Sequence, residues 1–246
     1  MINGLHITLT SFTHGSRILK ETKSLVDSGL VEHVHILGLH EPGLKIYEEI
    51  DKHRMVWRIP LRSRGLPRLF IFQIIKYLEV CWECIIFEKK HNYNFINVHN
   101  LALLPIGVLL SWLGRGKLIY DAHELETEIY GLTGFRKKLA RWVERRFIKY
   151  AKLIIVVSDG IKSWYSKSYG LSNVVTVLNC PYMKIIEEKT LLRKSLKIPK
   201  KKKIAIYQGG FQRGRGIEAM LRVFAKGQTD AYVLVLMGYG ELEPEI

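Results

Sequence analysis

Residues 117–124 read KLIYDAHE, a short apolar run (Leu118, Ile119, Tyr120) that breaks into Asp121, Ala122, His123 and Glu124. The pattern predicts a buried strand ending in a polar, titratable loop. In an open α/β sheet, ligands bind in the crevice beyond the carboxyl ends of the strands. By residue type alone an Asp-x-His-Glu after a strand is more often a plain surface turn, so the rest of the chain has to decide.

The alternation around this stretch is regular. LHITLTSF (5–12) reads as a first strand, and THGSR supplies a turn in which Gly15 is free to take angles other residues avoid. A helix over 18–30 stops near Gly29, and HVHILGL (33–39) and RMVWRIP (54–60) are strands joined by a polar connection. His33 and His35 alternate with Val34 and Ile36, which places them along one strand face and argues against metal ligation. A long helix over 68–90, the strand FINVH (95–99) and an apolar helix lead to Lys117. Beyond it come a turn-rich loop over 125–134, long enough to be functional or mobile, a helix over 135–152, the strand LIIVVS (153–158) with Ser158 or Asp159 capping the next helix, and the strand NVVTVLNC (173–180). This is the pattern of an α/β, doubly wound parallel sheet covered on both faces, a Rossmann-like domain over 1–180.

The helix over 135–152 spaces Phe135, Leu139, Trp142, Val143, Phe147 and Tyr150 helically among eight Lys and Arg residues. It is either the solvated outer layer of the sheet or a membrane-surface element. The structural reading is favoured, since a helix packed on a sheet needs one apolar face. After Pro181 a linker over 181–202 holds a helical fragment and the cationic run 200–203. From 203 the pattern restarts: a strand, a glycine-rich turn with Gly210, Arg213 and Arg215, an amphipathic helix, and a strand ending in Gly238-x-Gly240. Glycines that expose backbone N–H groups at a helix start, beside arginines, make an anion site suited to a diphosphate.

Composition narrows the partners. Of 246 residues 48% are apolar and 25% charged, an ordinary globular balance, but 38 Lys plus Arg against 23 Asp plus Glu give +15. That excess favours an anionic partner such as nucleotide phosphate or anionic lipid. Nucleic acid is disfavoured, because the basic residues are scattered and no recognition motif is present. The start has no signal-peptide pattern, and the apolar stretches 69–87 and 101–113 carry charges or Pro105, so neither is a convincing membrane span. Three cysteines cannot build a disulfide framework, which makes a reducing cytoplasm the simplest compartment, and Cys81-x-x-Cys84 reads as core packing within a helix.

Five segments in order and spacing, KLIYDAHE, IIVVSDGIKSWY, VVTVLNCP, YQGGFQRGRGIE and LVLMGYG, resemble the GT-B-fold glycosyltransferases, in particular family 4, which are retaining and use nucleotide-sugars. The resemblance runs from about Leu5 to Gly240. It implies two Rossmann-like domains, the first (1–180) binding acceptor and the second, begun at 203–246, binding the nucleotide-sugar. It implies that Gly15 and Arg17 lie in the loop facing donor diphosphate and acceptor. It further implies that His123, with Glu124, is catalytic in the cleft, that Arg215 neutralises the donor phosphates, and that Gly238 and Gly240 form a donor-side turn. Asp121 is expected to order the loop.

Two departures stand out. The family's additional arginine, six residues before the basic position, is here Gly209, leaving Arg213 to substitute. The second half of the donor domain, with its Glu-x7-Glu element, is not in this sequence, and 44 residues are too few to bury a good core alone. No Asp-x-Asp occurs, so helix N-terminal amides and Arg215 are expected to do the work of a metal, with no cofactor besides the nucleotide-sugar substrate. The leading expectation is therefore a cytoplasmic glycosyltransferase, or part of one, acting on a glycan or lipid-linked acceptor at the membrane face. The alternative is a non-catalytic acceptor-binding or complex-forming module.

Overall fold

The computed structural model describes residues 2–13, 15–67, 69–181, 183, 190–227 and 230–246. The chain forms two compact units, 1–180 and 181–246. In the first unit the elements run β1 (Asn3–Ile7), α1 (Ser16–Asp27), β2 (His33–Leu39), β3 (Tyr47–Asp51), β4 (Arg54–Ile59), α2 (Phe70–His91), β5 (Phe95–Val98), α3 (Leu104–Leu113), β6 (Lys117–Ala122), α4 (Gly134–Phe147), β7 (Leu153–Val156), α5 (Asp159–Tyr169) and β8 (Val174–Thr176). The strands form one sheet in the order β3-β4-β2-β1-β5-β6-β7-β8, parallel throughout except for β3.

The chain leaves β1 towards one edge and re-enters at β5 towards the other. That reversal places a crevice beyond Ile7 and Val98, and right-handed crossovers put α1 on one face and α2–α5 on the opposite one. On the α2–α5 face, Leu5, Ile7, Ile96, Leu118, Tyr120 and Ile154 pack with Val80, Cys84, Ile106, Leu110 and Tyr165. Cys84 is fully buried there, and burial pushes its thiol up, as core packing requires. On the other face Ile18 of α1 meets Phe12, Val34, Ile36 and Val56. The expected cover on both faces is therefore uneven. Among the described residues of this unit α1 alone serves the second face, leaving a pocket of about 820 Å³ between α1 and β5–β7, walled by Phe95, Ile119 and Ile155.

Three sequence expectations change. The polar connection before β4 contains β3, YEEID, an antiparallel edge strand whose Glu48 pairs with Arg58 at 2.9 Å; its charges hide it from an apolar-periodicity reading while suiting an exposed edge. The first strand stops at Ile7, and Thr8–Phe12 continues as loop. In α4, Phe135, Leu139 and Trp142 of the expected buried stripe are exposed, and the fully buried residue is Glu144. Its carboxylate accepts bonds from Tyr165 (2.6 Å), Tyr169 (2.6 Å) and Tyr120 (3.2 Å). Burial raises its pKa against the opposing pull of those hydroxyls.

In the second unit α6 (Leu191–Ser195) is followed by β9 (Lys203–Gln208), α7 (Ile217–Ala225) and β10 (Tyr232–Met237). β9 and β10 pair in parallel over a small core of Phe211, Ile217 and Leu242. Within the expected linker, residues 182 and 184–189 lie outside the described residues.

The Glu144 network makes a stability prediction. Tyr165→Phe removes a fully buried donor and should lower the urea-unfolding free energy by about 1–3 kcal/mol. Tyr169→Phe, at a half-buried hydroxyl, should cost less; equal losses would contradict the network's assignment.

Candidate functional site

The crevice at the β1/β5 reversal is a pocket of about 610 Å³ lined by Thr8, Thr10, Arg17, His99, His123 and Glu126. The loop from β1 enters α1 through Gly15, which also lines it. Gly15 has φ −76, so it is not glycine for backbone freedom; a Cβ there would lie 2.3 Å from the Phe12 ring. Among the described residues of this loop the left-handed one is Phe12 itself, φ +53.

Asp121 is the centre of the site. It lies within β6, fully buried, so the strand does not break where the sequence suggested. Its Oδ1 accepts from Arg17 Nη2 at 2.7 Å, and its Oδ2 accepts from Arg17 Nε, His99 Nδ1 and His123 Nε2, each at 3.0 Å. Burial alone would raise its pKa, but the bonds from His123, His99 and Arg17 outweigh it and hold the group well below the usual carboxylate range. Asp121 is thus an ionised hub, and it does more than order a loop.

The hub fixes the rings around it. With Nδ1 of His99 donating to Asp121, its Nε2 accepts from His6 Nδ1 at 2.9 Å. Burial, with His99 alongside, keeps His6 neutral, its pKa well below the ordinary value. His123 spends Nε2–H on Asp121, so Nδ1 is the nitrogen left for a ligand.

Arg17, expected to meet a donor diphosphate, is committed internally: besides Asp121 it donates Nη1 to Val177 O at 2.9 Å, because a buried carboxylate needs a buried cation. Glu21 Oε1 lies 2.9 Å from Arg17 Nε, and burial followed by the nearby Asp121 charge pushes Glu21 up to about 8. One guanidinium therefore serves one ionised and one protonated carboxyl.

Glu124 is exposed and does not line the pocket, whereas Glu126 does, its pKa raised by burial. His99 and Glu126 were missed by sequence reading, although His99 follows β5 just as His123 follows β6. The atoms His99 Nδ1, Asp121 Oδ2 and His123 Nε2 lie close enough to hold a cation. Arg17 Nε donates to the same Oδ2, so a divalent ion there would face a guanidinium, and the set fits a hydrogen-bonded hub better than a metal centre.

In the second unit Gly210, Gly238 and Gly240 line a pocket of about 580 Å³. A Cβ at Gly238 would meet Gly209 O at 1.9 Å, and one at Gly240 would meet Phe211 O at 2.5 Å, so both glycines let two loops approach. Arg213 is drawn to Glu218, Glu241 and Glu245, which leaves it a poor substitute for the family's extra arginine. Arg215 is exposed, sits between Gly214 (φ +81) and Gly216 (φ +80), and immediately precedes α7, whose first turn has no side-chain cap. No ion pair of Arg215 occurs among the described residues.

The sheet order, the reversal and the restart at β9 define a Rossmann-like unit followed by part of a second, as in GT-B glycosyltransferases. Solved structures with this fold include sucrose-phosphate synthase from Thermosynechococcus elongatus (TM-score 0.74, 17% identity, covering 96% of this chain and 62% of that one). Anabaena HepE in complex with UDP and glucose (TM-score 0.62, 13% identity, 100% and 63%) and the lipopolysaccharide outer core galactosyltransferase WaaB (TM-score 0.64, 12% identity, 100% and 63%) share it. Residues 22–181 match Glycosyltransferase Family 4, and the chain belongs to that family. No curated protein matches it. The chain spans about 62% of the length of the sucrose-phosphate synthase it resembles.

The Glu21 proton gives a pH prediction. A folded-state pKa raised to about 8 means that the folded chain holds a proton the unfolded chain has released, so this contribution to stability is present below the unfolded carboxyl range and is lost as pH rises towards 8. Urea midpoints should fall over that interval, and Glu21→Gln should flatten the fall; an unchanged slope would show that Glu21 is not the group responsible.

Proposed function

We propose that this chain carries the acceptor domain and the start of the donor domain of a glycosyltransferase. It would move a sugar from a nucleotide-sugar to a glycan or lipid-linked acceptor at the cytoplasmic membrane face. The observation that carries the reading is His123, oriented by a buried, ionised Asp121 at the sheet's reversal point in a family 4 chain. His123 Nδ1 contacts the transferring sugar.

Arg215 and the uncapped N-terminus of α7 receive the diphosphate, stabilising the negative charge that develops on the leaving group as a metal would elsewhere. HepE has been solved with UDP and with UDP-glucose, which supports a nucleotide-sugar donor, and the lipopolysaccharide acceptor in WaaB's name supports a glycan or lipid-linked one. No helix among the described residues is long and apolar enough to cross a membrane.

A second reading is a non-catalytic acceptor-binding or complex-forming module, in which the small core of the second unit among the described residues serves contact and not donor binding. It predicts no affinity for nucleoside diphosphates.

Transfer assays with labelled UDP-sugars separate the two. His123→Ala should lower turnover by about a hundredfold or more, as loss of a positioned donor or acceptor does. Arg215→Ala should weaken UDP binding by about tenfold or more. EDTA should leave transfer unchanged; loss on chelation with recovery on Mg²⁺ would overturn the metal-free reading, and absence of UDP binding would favour the module.

A further inference from the structure

We propose that the outer faces of α2 and α4 form a docking surface for an anionic lipid bilayer. The proposal deepens the membrane part of the proposed function, though docking itself requires no sugar transfer. α2, α3 and α4 lie side by side on one face of the sheet, α3 packing against each of the other two.

From Phe70 to Ile86 every exposed residue of α2 is apolar except Gln73. Phe70 is 76% exposed and Trp82 63%, with Ile71, Ile75, Leu78 and Ile86 completing the row. At about 1.5 Å per residue the row from Phe70 to Ile86 is roughly 24 Å long, an extended apolar ridge. An exposed surface of that extent marks an interaction site.

α4 supplies the charge. From Phe135 to Lys149, across α4 and the turn after it, the exposed residues are three apolar ones (Phe135, Leu139, Trp142) and six cations (Arg136, Lys138, Arg141, Arg145, Arg146, Lys149), with no carboxylate among them. Of the acids in this neighbourhood, Glu144 is buried, Glu128 bridges Lys137 and Arg141, Glu79 caps Arg62 and Ser63 backbone amides, and Glu83 is half-buried on α2. Between the two helices Trp112, 60% exposed at the end of α3, stacks edge-on to Tyr150 at 5.2 Å, beside Arg146 and Lys149.

Exposed tryptophans beside cations suit the headgroup layer of an anionic membrane, where the indole lies at the apolar boundary and the cations meet lipid phosphate. A second copy of the chain is a poorer occupant, because it would bring α4's cations against themselves. The arrangement also suits delivery of a lipid-linked acceptor. Crossover helices run antiparallel to the parallel strands, so the N-terminal ends of α2 and α4, with Phe70 and Phe135, lie towards the sheet edge that carries His123.

Sedimentation of the full chain with vesicles of equimolar phosphatidylglycerol and phosphatidylcholine, against pure phosphatidylcholine, tests the surface. We expect preference for the anionic vesicles, reduced by salt, with a blue shift of tryptophan emission. Leu78→Ser/Trp82→Ser and Arg145→Glu/Arg146→Glu, all at exposed positions, should each lower binding by about tenfold or more with melting temperature unchanged. Equal binding to both vesicles, undiminished binding by both variants, or a wild-type dimer that Leu78→Ser/Trp82→Ser makes monomeric would overturn the proposal. Because binding is read without donor or acceptor, its failure leaves the transferase reading standing, and failure of transfer leaves docking standing.

Discussion

A buried carboxylate cannot stay ionised without compensation, and in this molecule the compensation comes from His123, His99 and Arg17, of which Arg17 brings a full charge. Its guanidinium meets both oxygens of Asp121 and ties the carbonyl of Val177 to the same point. Desolvating two charges costs several kcal/mol each, so such a pair is not bought for stability; removing one partner would leave the other stranded at a cost of about 3–5 kcal/mol. What the pair secures is position. Asp121 holds two histidine rings by single nitrogens, and a third histidine follows in line. Glu21, close enough to compete for Arg17, yields by keeping its proton.

A second polar knot, Glu144 with three tyrosines, joins the narrow stripe of Ala140, Val143 and Phe147 in holding α4 on the core. Phe135, Leu139 and Trp142 point outwards from the same helix. On α2, Val80 and Cys84 anchor the inner side, and the exposed apolar ridge of the outer side has nothing to cover it among the described residues.

Much of the fold was legible in the sequence because parallel strands flanked by helices leave clear apolar runs. β2 was read to both its ends, and the restart at β9 was visible from its glycines. β3 was not, because Glu48, Glu49 and Asp51 carry an edge strand's charge in place of alternation. The site was half legible. His123 follows a strand and could be found by that rule, which applied equally to His99. Asp121's burial could not be seen, because its partner lies 104 positions away, in an arginine that the family resemblance assigned to the donor diphosphate. Gly15 was identified for the wrong physical reason: the Phe12 ring, and not the backbone angle, excludes a side chain. The face of α4 was half legible: Val143, Phe147 and Tyr150 pack on the core as expected, but helical spacing does not show that Phe135, Leu139 and Trp142 look outwards.

The Arg17–Asp121–Val177 tie also bears on how the molecule is made. Its bonds span 104 and 160 positions along the chain, and short-range helix formation cannot bring these groups together. Loop-closure entropy must be met first by pairing β1 with β5, β5 with β6, β6 with β7 and β7 with β8. The charged centre therefore exists only where distant strands have paired, and its tie to Val177 joins the start of α1 to the residue after β8.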